Sequence, residues 1–241
     1  MQDVPTAAVA ALFAPERPGP MVHPHAAATG LGRCRADRDR DPRTAVVEVP
    51  GGNIACRGEP VVVPGLRGLV EAPPDWVPAL ADGAAVLVWD RVVAVLADGV
   101  EPAVRHPVRR LVPADVPGLD ALDPSLAWIS ESWGGNAGLA ASGKAWVATD
   151  GDRPVAVACT FYEGRAHEDI GVVTDPGYRG RGLSTACAAA LIARIRARGH
   201  RPSWTTSPDN AGSRAVAARL GFVHERDDVL YAVRTPIPGD G

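Results

Sequence analysis

The chain has 241 residues, room for one large domain or two small ones, and its 46% hydrophobic content with six tryptophans supports a substantial core. A formal net charge of −3 sets up no field that would draw it to nucleic acid or a membrane surface, and no run approaches the length of an apolar membrane span. Four cysteines (Cys34, Cys56, Cys159, Cys187) stand far apart, with no C-x-x-C pair and no histidine at zinc-ligand spacing. They read as reduced thiols of a cytoplasmic protein that binds no metal.

In chain order, the apolar patch Thr6 to Ala14 has no basic segment before it, so it does not read as an export signal. Pro15 to Arg43 is polar and rich in Pro, Gly and Arg. Ala45 to Val49, a Gly51-Gly52-Asn53 turn and Ile54 to Cys56 predict a hairpin. Val61 to Val63 and Val86 to Leu96 predict further strands, with a short helix around Trp76 to Ala81 between them. Glu101 to Pro107 reads as a linker, dividing an N-terminal α+β unit (1–105) from a second domain (106–241).

Beyond the linker, Arg109 to Val112 predicts a strand, and Leu119 to Gly143 is helical in two pieces broken near Gly134-Gly135. Lys144 to Thr149, Pro154 to Tyr162 and His167 to Thr174 predict an antiparallel meander. A helix follows from Leu183 to Arg198, its Cys187, Leu191, Ile192 and Ile195 forming one apolar stripe and Gly199 its C-terminal stop. A strand at Pro202 to Thr206, a helix from Asn210 to Leu220 and a strand near Val229 to Val233 complete the pattern, and no internal repeat is evident.

The densest signal is the stretch from Asp169 to Thr185. An apolar strand ends at Asp175-Pro176-Gly177, a turn of glycine and arginine follows, and a helix opens directly from it. Glycines let the backbone approach a ligand, the first helical N–H groups are free, and the helix dipole favours negative charge. Phosphate or pyrophosphate suits such a place. A P-loop is excluded because Leu183 stands where Lys-Ser/Thr is needed, and the dinucleotide fingerprint lacks its third glycine.

With the meander before it and the strand, helix and strand after it, this segment resembles the GNAT superfamily of acyl-CoA N-acyltransferases. Arg179-Gly-Arg-Gly-Leu-Ser184 matches the pyrophosphate motif, with Ser184 at its last position. Asp209-Asn210-Ala-Gly-Ser213 and Arg219-Leu-Gly-Phe222 match the second signature, so the resemblance covers about residues 109–235. It implies a mixed α/β (α+β) fold, a central twisted mixed sheet flanked by helices, preceded here by a smaller α+β domain. It also implies that acetyl-CoA is the co-substrate and that the reaction is acetyl transfer to a primary amine of a small molecule.

Carried onto these positions, the resemblance assigns the cofactor-binding residues. Arg179, Gly180, Arg181, Gly182, Leu183, Ser184 and Thr185 would hold the pyrophosphate. The edge of Val172, Val173 and Thr174 would pair with pantetheine where two parallel strands splay. Asn210 and Ser213 would meet the pantetheine arm and thiol end, while Asn210 also reads as a plain helix cap.

For chemistry, the resemblance implies Glu168 as the base, because relatives place a strand glutamate eleven residues before the position of Arg179. By itself Glu168 also reads as an ordinary strand-end carboxylate, with Asp169 on the opposite face of the strand. Relatives place a tyrosine acid seven residues after the asparagine. Here Ala217 stands there, which leaves Tyr231 or water as the expected donor. Glu131 and Trp133 are expected at the acceptor, where they would grip a cationic amine, and Trp128 reads more simply as core. Two alternatives are a CoA-binding sensor without turnover and an acetyltransferase for a protein substrate. The N-terminal unit would shape the acceptor side or a homodimer interface.

Overall fold

The computed structural model describes residues 1–238. Its first six strands are β1 (Gln2–Asp3), β2 (Arg33–Ala36), β3 (Thr44–Val49), β4 (Asn53–Gly58), β5 (Gly68–Glu71) and β6 (Val86–Leu96). The second six are β7 (Arg109–Arg110), β8 (Ala145–Asp150), β9 (Arg153–Glu163), β10 (His167–Thr174), β11 (Arg201–Thr206) and β12 (Phe222–Val233). The α-helices are α1 (Val22–Thr29), α2 (Val77–Ala81), α3 (Val116–Asp120), α4 (Asn136–Ser142), α5 (Leu183–Ala197) and α6 (Ala211–Leu220). A tighter helical stretch, Pro124–Trp133, ends at Gly134, whose left-handed φ of 74° supplies the predicted break before α4.

All twelve strands form one sheet, in the order β1-β2-β3-β4-β5-β12-β6-β11-β10-β9-β8-β7. Strand pairing crosses the expected boundary at residue 105. Strand β6 lies before the linker in sequence yet pairs along its length with β12 and also with β11. Strand β12 in turn pairs with β5 of the first half. Each half therefore gives its last strand to the other, and the backbone ladder is continuous across the supposed boundary.

The strand order also reveals a repeat that the sequence hides. On either side of the central β12/β6 pair stands a strand (β5, β11) with a parallel neighbour (β4, β10) and then an antiparallel series. The halves differ between their parallel strands. The second half has the 15-residue helix α5 there, and the first half has only the segment from Glu59 to Arg67. Val61 to Val63, expected as a strand, lies in that segment without strand pairing. Pro60 and Pro64 bracket it, removing ladder donors and biasing the residue before each away from regular pairing.

Helix α5 buries Cys187, Leu191, Ile192 and Ile195 against one face of the sheet, with Ile170, Trp204 and Leu220 in the same core. The opposite face is covered by Leu119, Leu126, Ile129 and Leu139 of the helical region, packed on Val147, Val157 and Val173. All four cysteines are buried and unbonded. Among the described residues no helix is long and apolar enough to cross a membrane.

Candidate active site

The parallel strands β10 and β11 pair only at His167↔Arg201, Glu168↔Pro202 and Asp169↔Ser203. Beyond that point Ile170 to Thr174 pair only with β9, and Trp204 to Thr206 only with β6. Two strand edges with unpaired backbone groups thus face one another, a fork that an extended amide chain can enter as an added strand. Val172, Val173 and Thr174 lie on its β10 edge. The equivalent fork between β4 and β5 is bridged from within. Arg57 donates to the Glu71 carbonyl (3.3 Å) and carboxylate, and the buried Trp76 indole N–H donates to the Gly58 carbonyl (3.0 Å).

The β10 edge leads to the glycine–arginine turn. Asp175 caps the turn by accepting from the Gly177 N–H (3.1 Å), and Gly180 (φ 76°) and Gly182 (φ 78°) take left-handed conformations. Gly182 is the N-cap of α5 and has no side chain, so the N–H groups of Leu183, Ser184 and Thr185 receive no side-chain cap from it. A Cβ on Gly182 would sit 3.2 Å from His106 Nε2, so the linker histidine drapes over the turn. Arg179 Nε reaches the Thr174 carbonyl at 3.3 Å, and Arg181 lies over the Tyr178 ring at 4.9 Å. Both arginines are exposed and lack a carboxylate partner among the described residues. On the other side, Asn210 Oδ1 caps α6 by accepting from the Ser213 N–H (2.8 Å), and Ser213 Oγ accepts from the Trp204 indole (2.9 Å).

Glu168 does not face the fork. It is 0% exposed, on the α5 side of the sheet, where Arg198 donates to both its oxygens (2.8 and 2.6 Å). Thr160 Oγ1 (2.5 Å) and His200 Nδ1 (2.9 Å) complete the clasp. Burial alone would raise its pKa. The Arg198 and Thr160 bonds and the charge of Arg198 outweigh it and hold the carboxyl below its ordinary range. Glu168 ties β10 to the turn after α5.

Asp169 occupies the last rung before the fork, on the opposite face. Its Oδ1 accepts from Ser203 Oγ (2.7 Å) and Thr205 Oγ1 (3.0 Å). Burial pushes its pKa up to about 7, against the pull of those hydroxyls and of the Arg91 and Arg226 charges. A carboxyl titrating near neutrality at the closed end of the fork has the properties of a general base. Tyr162, directly across from it on β9, is buried, and its phenol pKa is raised by burial first and by Asp169 second.

Tyr231 is not near this chemistry. It is buried with Val46, Ile54, Val70 and Trp76 in a core of the first half that contains no residue of β10 or β11. Ala217 is buried on the inner side of α6, in the same core as Leu191 and Leu220. The two tryptophans exchange their expected places. Trp133 is 8% exposed, donates its indole N–H to the Thr160 carbonyl (2.7 Å) and meets His25 edge-on, so it is a core strut. Trp128 is 39% exposed and lies over Gly171 of β10, where a Cβ would be 3.3 Å from its ring. Glu131 is exposed and rests on the β3–β4 turn, so close that a Cβ on Gly51 would come within 2.5 Å of it.

Two residues beside the fork escape a reading from local pattern. Arg91 arrives on β6 from the first half, and His106 meets Gly182 only through the path of the linker. The one available signal was the alternation of β10, which put Glu168 and Asp169 on opposite faces without saying which face opens to the fork.

Known proteins resemble this chain in sequence and in fold. A family model for GNAT acetyltransferases matches residues 122–231. A Streptomyces virginiae protein named as an uncharacterised N-acetyltransferase is 44% identical over 201 residues, covering 78% of this chain and 84% of that one. The crystal structure of a GCN5-related N-acetyltransferase-like protein from Streptococcus suis superposes with a TM-score of 0.72 at 18% identity, covering 94% of this chain and 97% of that one. A GNAT-family structure from Novosphingobium aromaticivorans gives 0.60 at 24% identity, with 79% and 89% covered.

Proposed function

Because the chain belongs to the GNAT family of N-acetyltransferases, we propose that it carries the acetyl group of acetyl-CoA to a primary amine of a small molecule, with Asp169 as general base. The observation that carries this reading is the fork itself. It runs from the uncapped start of α5, which suits a pyrophosphate, along the free β10 edge to a carboxyl titrating near pH 7.

Aminolysis needs the acceptor nitrogen neutral. Asp169 takes a proton from the ammonium, the freed lone pair forms the C–N bond at the thioester carbonyl, and the C–S bond then breaks. The proton that the acylated nitrogen then sheds passes through water to the CoA thiolate, a good leaving group with a thiol pKa of roughly 8.5, so no dedicated acid is required. Arg179 and Arg181 would add charge at the pyrophosphate, and Ser213, its oxygen held by Trp204, keeps its own proton free for the pantetheine end.

A small acceptor is supported by the segment from Pro15 to Met21, which crosses the Asp169 side of the sheet. Glu16 anchors it by accepting from the N–H groups of Arg165 (2.6 Å), Ala166 (3.0 Å) and His167 (3.0 Å). Arg226 donates to the Pro18 carbonyl (2.7 Å) at its other end. Thiol release from acetyl-CoA against a panel of small amines tests the proposal. Tight acetyl-CoA binding with no release on any amine, peptides included, would replace it with the CoA-binding sensor, a reading favoured by Ala217 in the tyrosine's place.

A further inference from the structure

Arg91 is the charged group that the acetyl-transfer chemistry leaves unused. Its guanidinium stacks 3.9 Å over the Trp89 ring, and one Nη donates a long 3.3 Å bond to the Thr205 carbonyl. Its Nε is buried without a partner, and among the described residues no carboxylate oxygen lies within ion-pair distance of it. Burial lowers its pKa to about 10. Arg226, on the neighbouring strand, is by contrast paired with Asp228 at 2.7 Å. A half-buried arginine with no counter-ion is costly unless an anion arrives.

The register sets Arg91 on the face of the sheet that carries Asp169. Val93 stands opposite Thr205, and Arg91 is two residues along β6, so it shares the Thr205 face. Asp169 stands opposite Ser203 and shares that face too. Thr205 holds both charged groups, accepting from Arg91 at its carbonyl and donating to Asp169 from its hydroxyl. Opposite charges thus flank one residue yet form no ion pair with each other, and the anchored Pro15–Met21 segment lies over the same face, with Gly19 against Arg226 and Val93.

We infer that the acceptor is a zwitterion of the amino-acid type, whose carboxylate is held by Arg91 while its ammonium meets Asp169. This rests on the acetyl-transfer reading for its chemistry but not for the binding itself. A planar guanidinium takes a carboxylate in two parallel hydrogen bonds, which aims the adjacent amine as well as holding it. Arg91 is a specificity residue here, and it comes from the half of the chain that has no open fork of its own.

The test compares free amino acids with their decarboxylated amines, in thiol release and in direct calorimetric binding, for wild type, Arg91→Met and Arg91→Lys. The expected result is at least a tenfold preference in kcat/KM for amino acids. Arg91→Met abolishes it through KM, Arg91→Lys restores part of it, the KM for acetyl-CoA stays unchanged, and the melting temperature does not fall in Arg91→Met. Equal use of amines and amino acids by wild type, or a preference that survives Arg91→Met, overturns the inference and leaves acetyl transfer standing. Amino-acid binding that depends on Arg91 without any thiol release would sustain the inference and refute the acetyl-transfer reading. No binding and no release would refute both.

Discussion

Two adjacent carboxylates, Glu168 and Asp169, leave β10 on opposite faces, and their surroundings drive their pKa values apart. Asp169 is buried among hydroxyls and, among the described residues, forms no ion pair, so burial outweighs the more distant Arg91 and Arg226 charges and its proton is shed only near pH 7. The expected kcat/KM profile rises as pH passes through about 7, where the carboxyl becomes the active base. Asp169→Asn should lower kcat/KM by roughly 100- to 10,000-fold and remove that limb, measured with acceptor below KM. A retained limb would assign it to the acceptor amine instead.

Glu168 is a matter of stability. Its folded pKa is lowered, so its contribution is present above the ordinary carboxylate range and is lost as pH falls through the lowered value. Glu168→Gln should cost about 2 kcal/mol at neutral pH, since charge-assisted bonds from Arg198 are lost while Arg198 itself can still reach water. Denaturant unfolding at several pH values checks this, and the gap should narrow in acid. Thiol release by the folded variant should stay near wild type; a collapse of turnover without loss of stability would return the base role to Glu168.

At the scale of elements, the site depends on the joint between β10 and α5. Gly182 ends the turn in a left-handed conformation with His106 3.2 Å from any added Cβ. Gly182→Ala should therefore strain the turn by about 1 kcal/mol and tilt the first N–H groups of α5. The expected outcome is a roughly tenfold higher KM for acetyl-CoA with kcat little changed at saturation, by about the 1.4 kcal/mol that a tenfold change represents. An unchanged KM would remove this turn from the cofactor site. This joint was legible in the sequence because it is local. Glycines, the following helix stripe and the Asn210 cap each act within a few residues of where they stand. The tryptophans were not legible that way: whether Trp128 or Trp133 faces the cleft depends on how the Pro124–Trp133 stretch is turned against β9, and its tight helical turns do not follow the period of an α-helix.

For the whole molecule, the exchange of β6 and β12 makes the halves interdependent. Removing residues 1–105 takes β6 from between β11 and β12, strips Arg91 from the site and exposes two long strand edges. Such a truncated chain should be insoluble, whereas the full chain should unfold in one cooperative calorimetric transition. Two separated transitions, or a soluble and active 106–241 fragment, would contradict this account.

Read alone, the sequence determined the phosphate-type turn, the order of elements from Arg109 onward and the family they resemble, because those signals are short-range: turn residues, caps and the apolar period of one helix. It did not determine which carboxylate meets the fork, that the first half repeats the second, or that Arg91 joins the site. Those follow from strand pairing between distant segments. Pairing is made by backbone groups that every residue carries, so side-chain pattern marks a strand and its faces but not its neighbour. The tertiary structure made that choice, setting β6 against β11 and bringing the charge of one half to the fork of the other.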